Sequence, residues 1–87
     1  MYYVYLLKSP KTGQIYVGFT ENLKRRFVEH QKLQRHKGWK LIYYEAYRNR
    51  EDAAERERKI KNYGSSLQRL KTRLKRSLNL QDLEWAG

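Results

Sequence analysis

Four features of this sequence could do chemistry: Glu57, the cluster of eight tyrosines, Arg26 and His30. Glu57 is the unusual acid. It lies four residues after Ala53 and three before Ile60, on a helical segment running from Glu51, so it falls on the stripe expected to turn inward. Burying a carboxylate without a partner costs several kcal/mol, so Glu57 requires a cation. A metal ion meets that need, and so does a basic side chain in a plain ion pair; a tilt of the helix that lets Glu57 reach water would remove it. Arg26 and His30 are four apart and project from one side of a helix. A tyrosine facing such cations can transfer protons if they lower its pKa from ~10. Singly, each has an ordinary reading: sheet packing for the tyrosines, a surface ion pair for Arg26, a hydrogen-bonded boundary position for His30. Chemistry requires the carboxylate, the proton-transfer group and the cation to converge.

The elements that must position them are legible. Residues 2–8, rich in aromatic and β-branched types, suit a strand. Ser9-Pro-Lys-Thr-Gly13 is turn chemistry, and 14–18 read as the returning strand. That hairpin, closed by a loop of about four or five residues, is expected to set Tyr5 across from Tyr16, with Tyr3, Tyr5 and Tyr16 on one face. Thr20 or Asn22 can cap a helix over 22–32, with Leu23 and Phe27 as its apolar pair. Residues 33–38 are polar and basic and read as a loop, and 39–47 as a third strand. Asn49 with Asp52 resembles a capping pair for a helix to about Tyr63, stopped by Gly64. Ser65-x-x-Gln68 reads as a capping box for a last helix carrying the stripe Leu67, Leu70, Leu74 and Leu78. Leu80, Leu83 and Trp85 are expected to pack back on the domain. The order β-β-α-β-α-α makes one α+β domain over 1–87, a three-stranded antiparallel sheet flanked by helices.

Composition narrows the partner class. The 87 residues include no cysteine, which excludes a disulfide framework, a thiol nucleophile and cysteine-ligated zinc. His30 and His36 do not stand at metal-ligand spacing beside other strong ligands. No apolar run approaches the ~20 residues of a membrane span, and Met1 leads directly into a strand-like segment, so the expectation is a cytoplasmic chain with no membrane partner. Twenty Lys and Arg against nine Asp and Glu leave a net +11. Eight tyrosines, two tryptophans and two phenylalanines nevertheless supply apolar surface for a core. The charge is clustered: seven basic residues and one acid from Lys24 to Lys40, then eight basic residues and no acid from Arg58 to Arg76. Lys24 and Arg25 on the first helix, and Arg69, Lys71, Arg73, Lys75 and Arg76 on the last, are candidate phosphate contacts. Ordinary solvated helices mix both signs, so nucleic acid is the expected partner.

Taken together, these residues resemble the GIY-YIG nuclease family, from Tyr2 to about Leu78. Tyr3-Val4-Tyr5 stands where the family has Gly-Ile-Tyr, and Tyr16-Val17-Gly18 where it has Tyr-Ile-Gly. The segment from Asn22 to His30 is similar to the family's arginine helix, with Arg26 at the catalytic arginine and His30 at the helix histidine or tyrosine. Ala53-x-x-x-Glu57-x-x-Ile60-Lys61 is similar to the segment that supplies the metal-binding glutamate. The small, single-domain bacterial members are the most alike; others are catalytic modules of excision-repair and homing endonucleases.

The resemblance implies phosphodiester hydrolysis with one divalent ion, Mg²⁺ or Mn²⁺, held by Glu57. It implies that Arg26 neutralises charge on the phosphorus. Tyr16 would take the proton of the attacking water, with Tyr5 and His30 assisting or orienting it. Phe19, three after Tyr16, stands where many repair-type members carry a lysine placed to lower the tyrosine's pKa, so Tyr16 and His30 both remain open as the base. The expected function is an endonuclease of low sequence specificity, DNA ahead of RNA, with a distorted substrate or a protein partner supplying selectivity. The alternative is a non-catalytic nucleic-acid-binding module of the same fold, and a third reading is docking to an acidic protein.

Overall fold

Strand β1 (Tyr2–Lys8) runs through the middle of the sheet, between β2 (Ile15–Thr20) and β3 (Lys40–Tyr47), and pairs antiparallel with both. Its residues Val4, Tyr5, Leu6 and Leu7 are all fully buried. A continuous apolar run, rather than alternation, is what a strand covered on both faces requires. The computed structural model describes residues 1–79. The remaining elements are α1 (Leu23–Lys32), α2 (Arg50–Asn62), α3 (Gly64–Arg73) and α4 (Lys75–Leu78). The α+β architecture, a three-stranded antiparallel sheet flanked by helices, is the one expected from the sequence. Leu80, Leu83 and Trp85 lie outside the described residues. Among the described residues no helix is long and apolar enough to cross a membrane.

The two faces of the sheet have different jobs. One carries Val4, Leu6 and Val17, which join Ile42, Ala53 and Ile60 of α2 and Leu70 of α3 in a single core. Leu67, Leu74 and Leu78 pack against that core, so the leucine stripe faces inward as its spacing predicts. The opposite face carries Tyr3, Tyr5, Leu7, Tyr16 and Gly18, and α1 reaches it through His30.

The hairpin register differs from the expected one. Tyr5 pairs with Gly18, and Tyr16 pairs with Leu7. The cause is the turn. Ser9 is buried, its Oγ accepts from the backbone N–H of Lys11 and Thr12, and its own N–H donates to the Gln14 carbonyl at 3.0 Å. Gln14 is thereby drawn into the loop and pairing starts at Lys8–Ile15. The shift is by two residues, so the shared face of Tyr3, Tyr5 and Tyr16 survives.

Helix ends follow the expectation in part. Asn22 caps α1 by accepting from the Arg25 N–H, and Asn49 caps α2 by accepting from the N–H groups of Glu51 and Asp52. The capping box at Ser65 does not form. Gly64 is the first residue of α3 rather than a left-handed stop, and the flanking Tyr63 provides no side-chain cap. The last helix is also not continuous: Leu74 separates α3 from α4.

Glu45 braces β3 to α2. Its carboxylate accepts from Arg56 Nε at 2.9 Å and Nη2 at 3.0 Å, from Tyr43 Oη at 2.6 Å, and from Tyr47 Oη. Burial alone would raise the Glu45 carboxyl, but Arg56 and the two phenols together hold it below its ordinary value. Burial and the adjoining carboxylate push both phenols up to about 12. This acid, not Glu57, is the carboxylate most engaged with the fold.

Candidate functional site

Tyr5 is the centre of the site. It lies on the central strand, is 1% exposed, and turns its ring over Gly18 on the neighbouring strand. Tyr16, two residues before Gly18, shares that face with ring centroids 6.2 Å apart. The start of α1 is tied to the end of β2 by the N–H of Asn22 donating to Thr20 Oγ1 at 3.1 Å. This aims the helix so that His30, 0% exposed, reaches the tyrosines. His30 Nε2 and Tyr5 Oη are hydrogen-bonded at 2.7 Å. The Tyr16 ring packs edge-on against His30, 5.0 Å between centroids.

A further residue completes the cluster. His36 is buried, and its Nδ1 is hydrogen-bonded to His30 Nδ1 at 2.9 Å. It falls in the stretch that reads as a polar loop, where the sequence carries no signal for it beyond its residue type. Three successive turn hydrogen bonds, from Leu33 to His30, His36 to Leu33 and Trp39 to His36, roll this segment back onto α1. Gln31 secures it: its side chain donates to the Trp39 carbonyl at 3.0 Å and accepts from the Gly38 N–H at 3.1 Å. Gly38 supplies the positive φ of 85° that the turn needs. His36 then sits between the rings of Tyr16, tilted at 4.6 Å, and Trp39, edge-on at 4.9 Å.

The electrostatics follow from burial and from Arg26. Burial, and secondarily the neighbouring Tyr16, push the Tyr5 phenol up to about 12, against the opposing pull of the Arg26 guanidinium. Burial, then Arg26 and His36, bring His30 down to about 4. His36 is lowered as well, by burial and by Arg35 and Arg26. Both imidazoles are therefore neutral near pH ~7. Arg26 pairs with Glu29 at 3.1 Å in an exposed contact of the kind worth about 0–1 kcal/mol, so little prevents it from turning to an anion over the tyrosines.

Glu57 comes from α2, whose Ala53 and Ile60 join the core on the other face of the sheet. Its side chain is 21% exposed and pairs with Lys61 Nζ at 3.2 Å. Among the described residues no group of three His, Cys, Asp or Glu side chains could cage a metal. Mg²⁺ does not need such a cage, because one or two carboxylates and a shell of waters suffice. Glu57 fits that modest demand, since its present partner is an exposed ammonium able to swing away. The structure thus brings Tyr5, Tyr16, Arg26 and His30 together, adds His36, and leaves Glu57 bound to its neighbour on the helix.

The basic residues divide between the two layers. Lys24 and Arg25 are exposed on α1, on the side of the tyrosine site. Arg69, Arg73, Lys75 and Arg76 are exposed on α3 and α4, on the other side of the sheet, while Lys71 is half-buried. None of them pairs with a carboxylate among the described residues.

The sequence has relatives among known proteins. The family described as the GIY-YIG catalytic domain matches residues 1–71, a stretch that includes Tyr5, Tyr16, Arg26, His30 and Glu57. A UPF0213 protein of Clostridium perfringens (strain 13 / Type A) is 40% identical over 67 residues, covering 70% of this chain and 71% of that protein. No solved structure matches the chain.

Proposed function

The chain belongs to the GIY-YIG nuclease family, and from that premise we propose that it is a metal-dependent endonuclease hydrolysing phosphodiester bonds. The observation that carries the reading is the convergence of Tyr5, Tyr16, Arg26 and His30 on one sheet face, joined by the Tyr5–His30 hydrogen bond. Glu57 would hold one Mg²⁺ or Mn²⁺, which polarises the phosphate and stabilises the departing oxygen. Arg26 neutralises the charge that builds on the phosphate. Tyr16 meets the attacking water and takes its proton. Exposure supports it over His30 in that role, because His30 is wholly buried with Nε2 already on Tyr5. Tyr5 and His30 hold the tyrosine face in register.

The substrate we propose is DNA ahead of RNA, in the cytoplasm, with little sequence preference of the chain's own. Lys24, Arg25 and the basic residues of α3 and α4 suit phosphate, and phosphate contacts position a protein without reading sequence. A distorted substrate or a protein partner would supply selectivity. One observation favours the alternative of a non-catalytic binding module: the Glu57–Lys61 pair. Incubation with duplex, nicked, branched and single-stranded DNA and RNA separates the two. The nuclease cuts with Mg²⁺ or Mn²⁺ and stops in chelator, whereas the module binds and never cuts.

A further inference from the structure

The two buried histidines face each other through like atoms. His30 Nδ1 and His36 Nδ1 are 2.9 Å apart, and the far nitrogen of His30 is 2.7 Å from Tyr5 Oη. A hydrogen bond between two ring nitrogens needs one proton and one bare lone pair. The tautomer of His30 therefore has to suit both neighbours at once, His36 at Nδ1 and Tyr5 at Nε2. No buried side-chain polar atom among the described residues lacks a partner, so the chain is closed at each link.

We propose that His36 is a positioning residue that holds His30 in its Nδ1–H tautomer, leaving the Nε2 lone pair to accept the Tyr5 hydroxyl proton. The direction follows from donor strength. A phenol O–H is more acidic than a neutral imidazole N–H, so Tyr5 donates to Nε2 rather than accepting from it. Arg26 can only donate, so it offers the Tyr5 proton no acceptor. Tyr5 thus spends its proton on His30. His30 then donates Nδ1–H to the bare Nδ1 of His36, whose own proton sits on Nε2. The pair carries no net charge, in agreement with two imidazoles that resist protonation.

The groups that bear on His30 come from every neighbouring element: Arg26 and Glu29 from α1, Tyr5 from β1, Tyr16 from β2, and Arg35 and His36 from the turn segment. Of these, His36 alone contacts Nδ1, so it is the one whose replacement alters the tautomer without removing a member of the tyrosine–arginine group.

The tautomer itself rests on geometry alone, and only its effect on cleavage rests on the nuclease reading. The test is ¹⁵N NMR of the two imidazoles in the full chain near neutral pH, which tells a protonated ring nitrogen from a bare one. The expected spectrum has His30 protonated at Nδ1 and bare at Nε2, and His36 the reverse. His36→Asn, whose amide oxygen stands near the position of Nδ1, keeps that tautomer. His36→Phe keeps the ring contacts with Tyr16 and Trp39 but buries the His30 Nδ1–H without an acceptor, which works against the preference set by Tyr5 and leaves His30 in a mixture. If the chain cleaves, His36→Phe lowers kcat by about 10–100-fold with little change in KM and shifts the pH profile, and His36→Asn restores both. Wild-type His30 protonated at Nε2 overturns the proposal without recourse to a variant. So does a single, unchanged tautomer in His36→Phe. The spectra decide whether or not the chain cuts nucleic acid, so failure of the nuclease reading leaves this test standing.

Discussion

The Tyr5 ring lies over Gly18 so closely that a Cβ at position 18 would come within 2.2 Å of its Cζ and 2.3 Å of its Oη. The glycine is what lets a tyrosine stand on a central strand, between two partner strands, and still reach a histidine on the covering helix. Gly18→Ala must displace that phenol. The expected cost is about 1–3 kcal/mol of stability, the scale of an overpacked core. The Tyr5–His30 hydrogen bond is lost with it. Denaturant unfolding and the imidazole NMR spectrum of the variant check both effects; an unaltered spectrum would show the ring is not pinned by the glycine.

The buried imidazoles should make the protein acid-sensitive. In the unfolded chain His30 takes up a proton near pH 6.5, whereas the folded state resists until about 4. The unfolded state therefore binds more protons in that window, and stability falls as pH drops through it. Above pH ~6.5 the group is neutral in both states and contributes no slope. The total loss is about 3 kcal/mol, and His36 adds to it with the same sign. Glu45 adds a further loss only as pH falls below its unfolded value of 4.5. Unfolding curves at pH ~7, ~5.5 and ~4 measure the slope, and His30→Gln should reduce it above pH ~4.5.

The Glu45 brace should matter more than any other ion pair. Glu45 and Arg56 are 14% and 28% exposed and share two hydrogen bonds, whereas Glu55 and Lys59 are 56% and 55% exposed. Glu45→Ala leaves Arg56 and two phenols without their acceptor and should cost about 3 kcal/mol. Glu55→Ala should change stability by no more than ~0.5 kcal/mol. Equal melting shifts for the two variants would show that the brace carries no special weight.

What is legible in the residues depends on whether the cause is local. Strand β1 matches its expected bounds end to end, because a run of Tyr, Val and Leu has few other uses. Asn22 and Asn49 cap as their residue types suggest, and Leu70 with its stripe turns inward. The hairpin register is not legible because it depends on Ser9 capturing Gln14, a hydrogen bond across a turn. The burial of His36 is hidden because it depends on Gln31 holding a loop seven and eight residues away. The role of Glu45 is hidden because its partner Arg56 is eleven residues on, across an element boundary. Periodicity marks Glu57 as the inward acid, and it does sit part-way in, but its cation is one turn along its own helix.

The exposed cations of the last two helices should carry nucleic-acid affinity without carrying chemistry. Arg69, Arg73 and Arg76 lie on the side of the sheet away from Tyr5. Replacing them with Gln should weaken binding alike on all sequences. It should also flatten the plot of log K against log salt by roughly one unit for each phosphate no longer neutralised. Unchanged affinity and slope would make this surface a solvated one only.

The central claim is that Glu57 serves a metal ion and not merely Lys61, and Glu57→Gln tests it most directly. The pair it would break is exposed at Lys61 and of the i,i+4 kind, so its loss should cost less than ~1 kcal/mol. Stability and nucleic-acid affinity are therefore expected to persist. Cleavage in Mg²⁺ or Mn²⁺ is expected to disappear, measured beside the wild-type chain on the same substrate at matched occupancy. Wild-type cleavage by the Glu57→Gln variant, or no metal-dependent cleavage by the wild-type chain on any of the substrates, would contradict that claim.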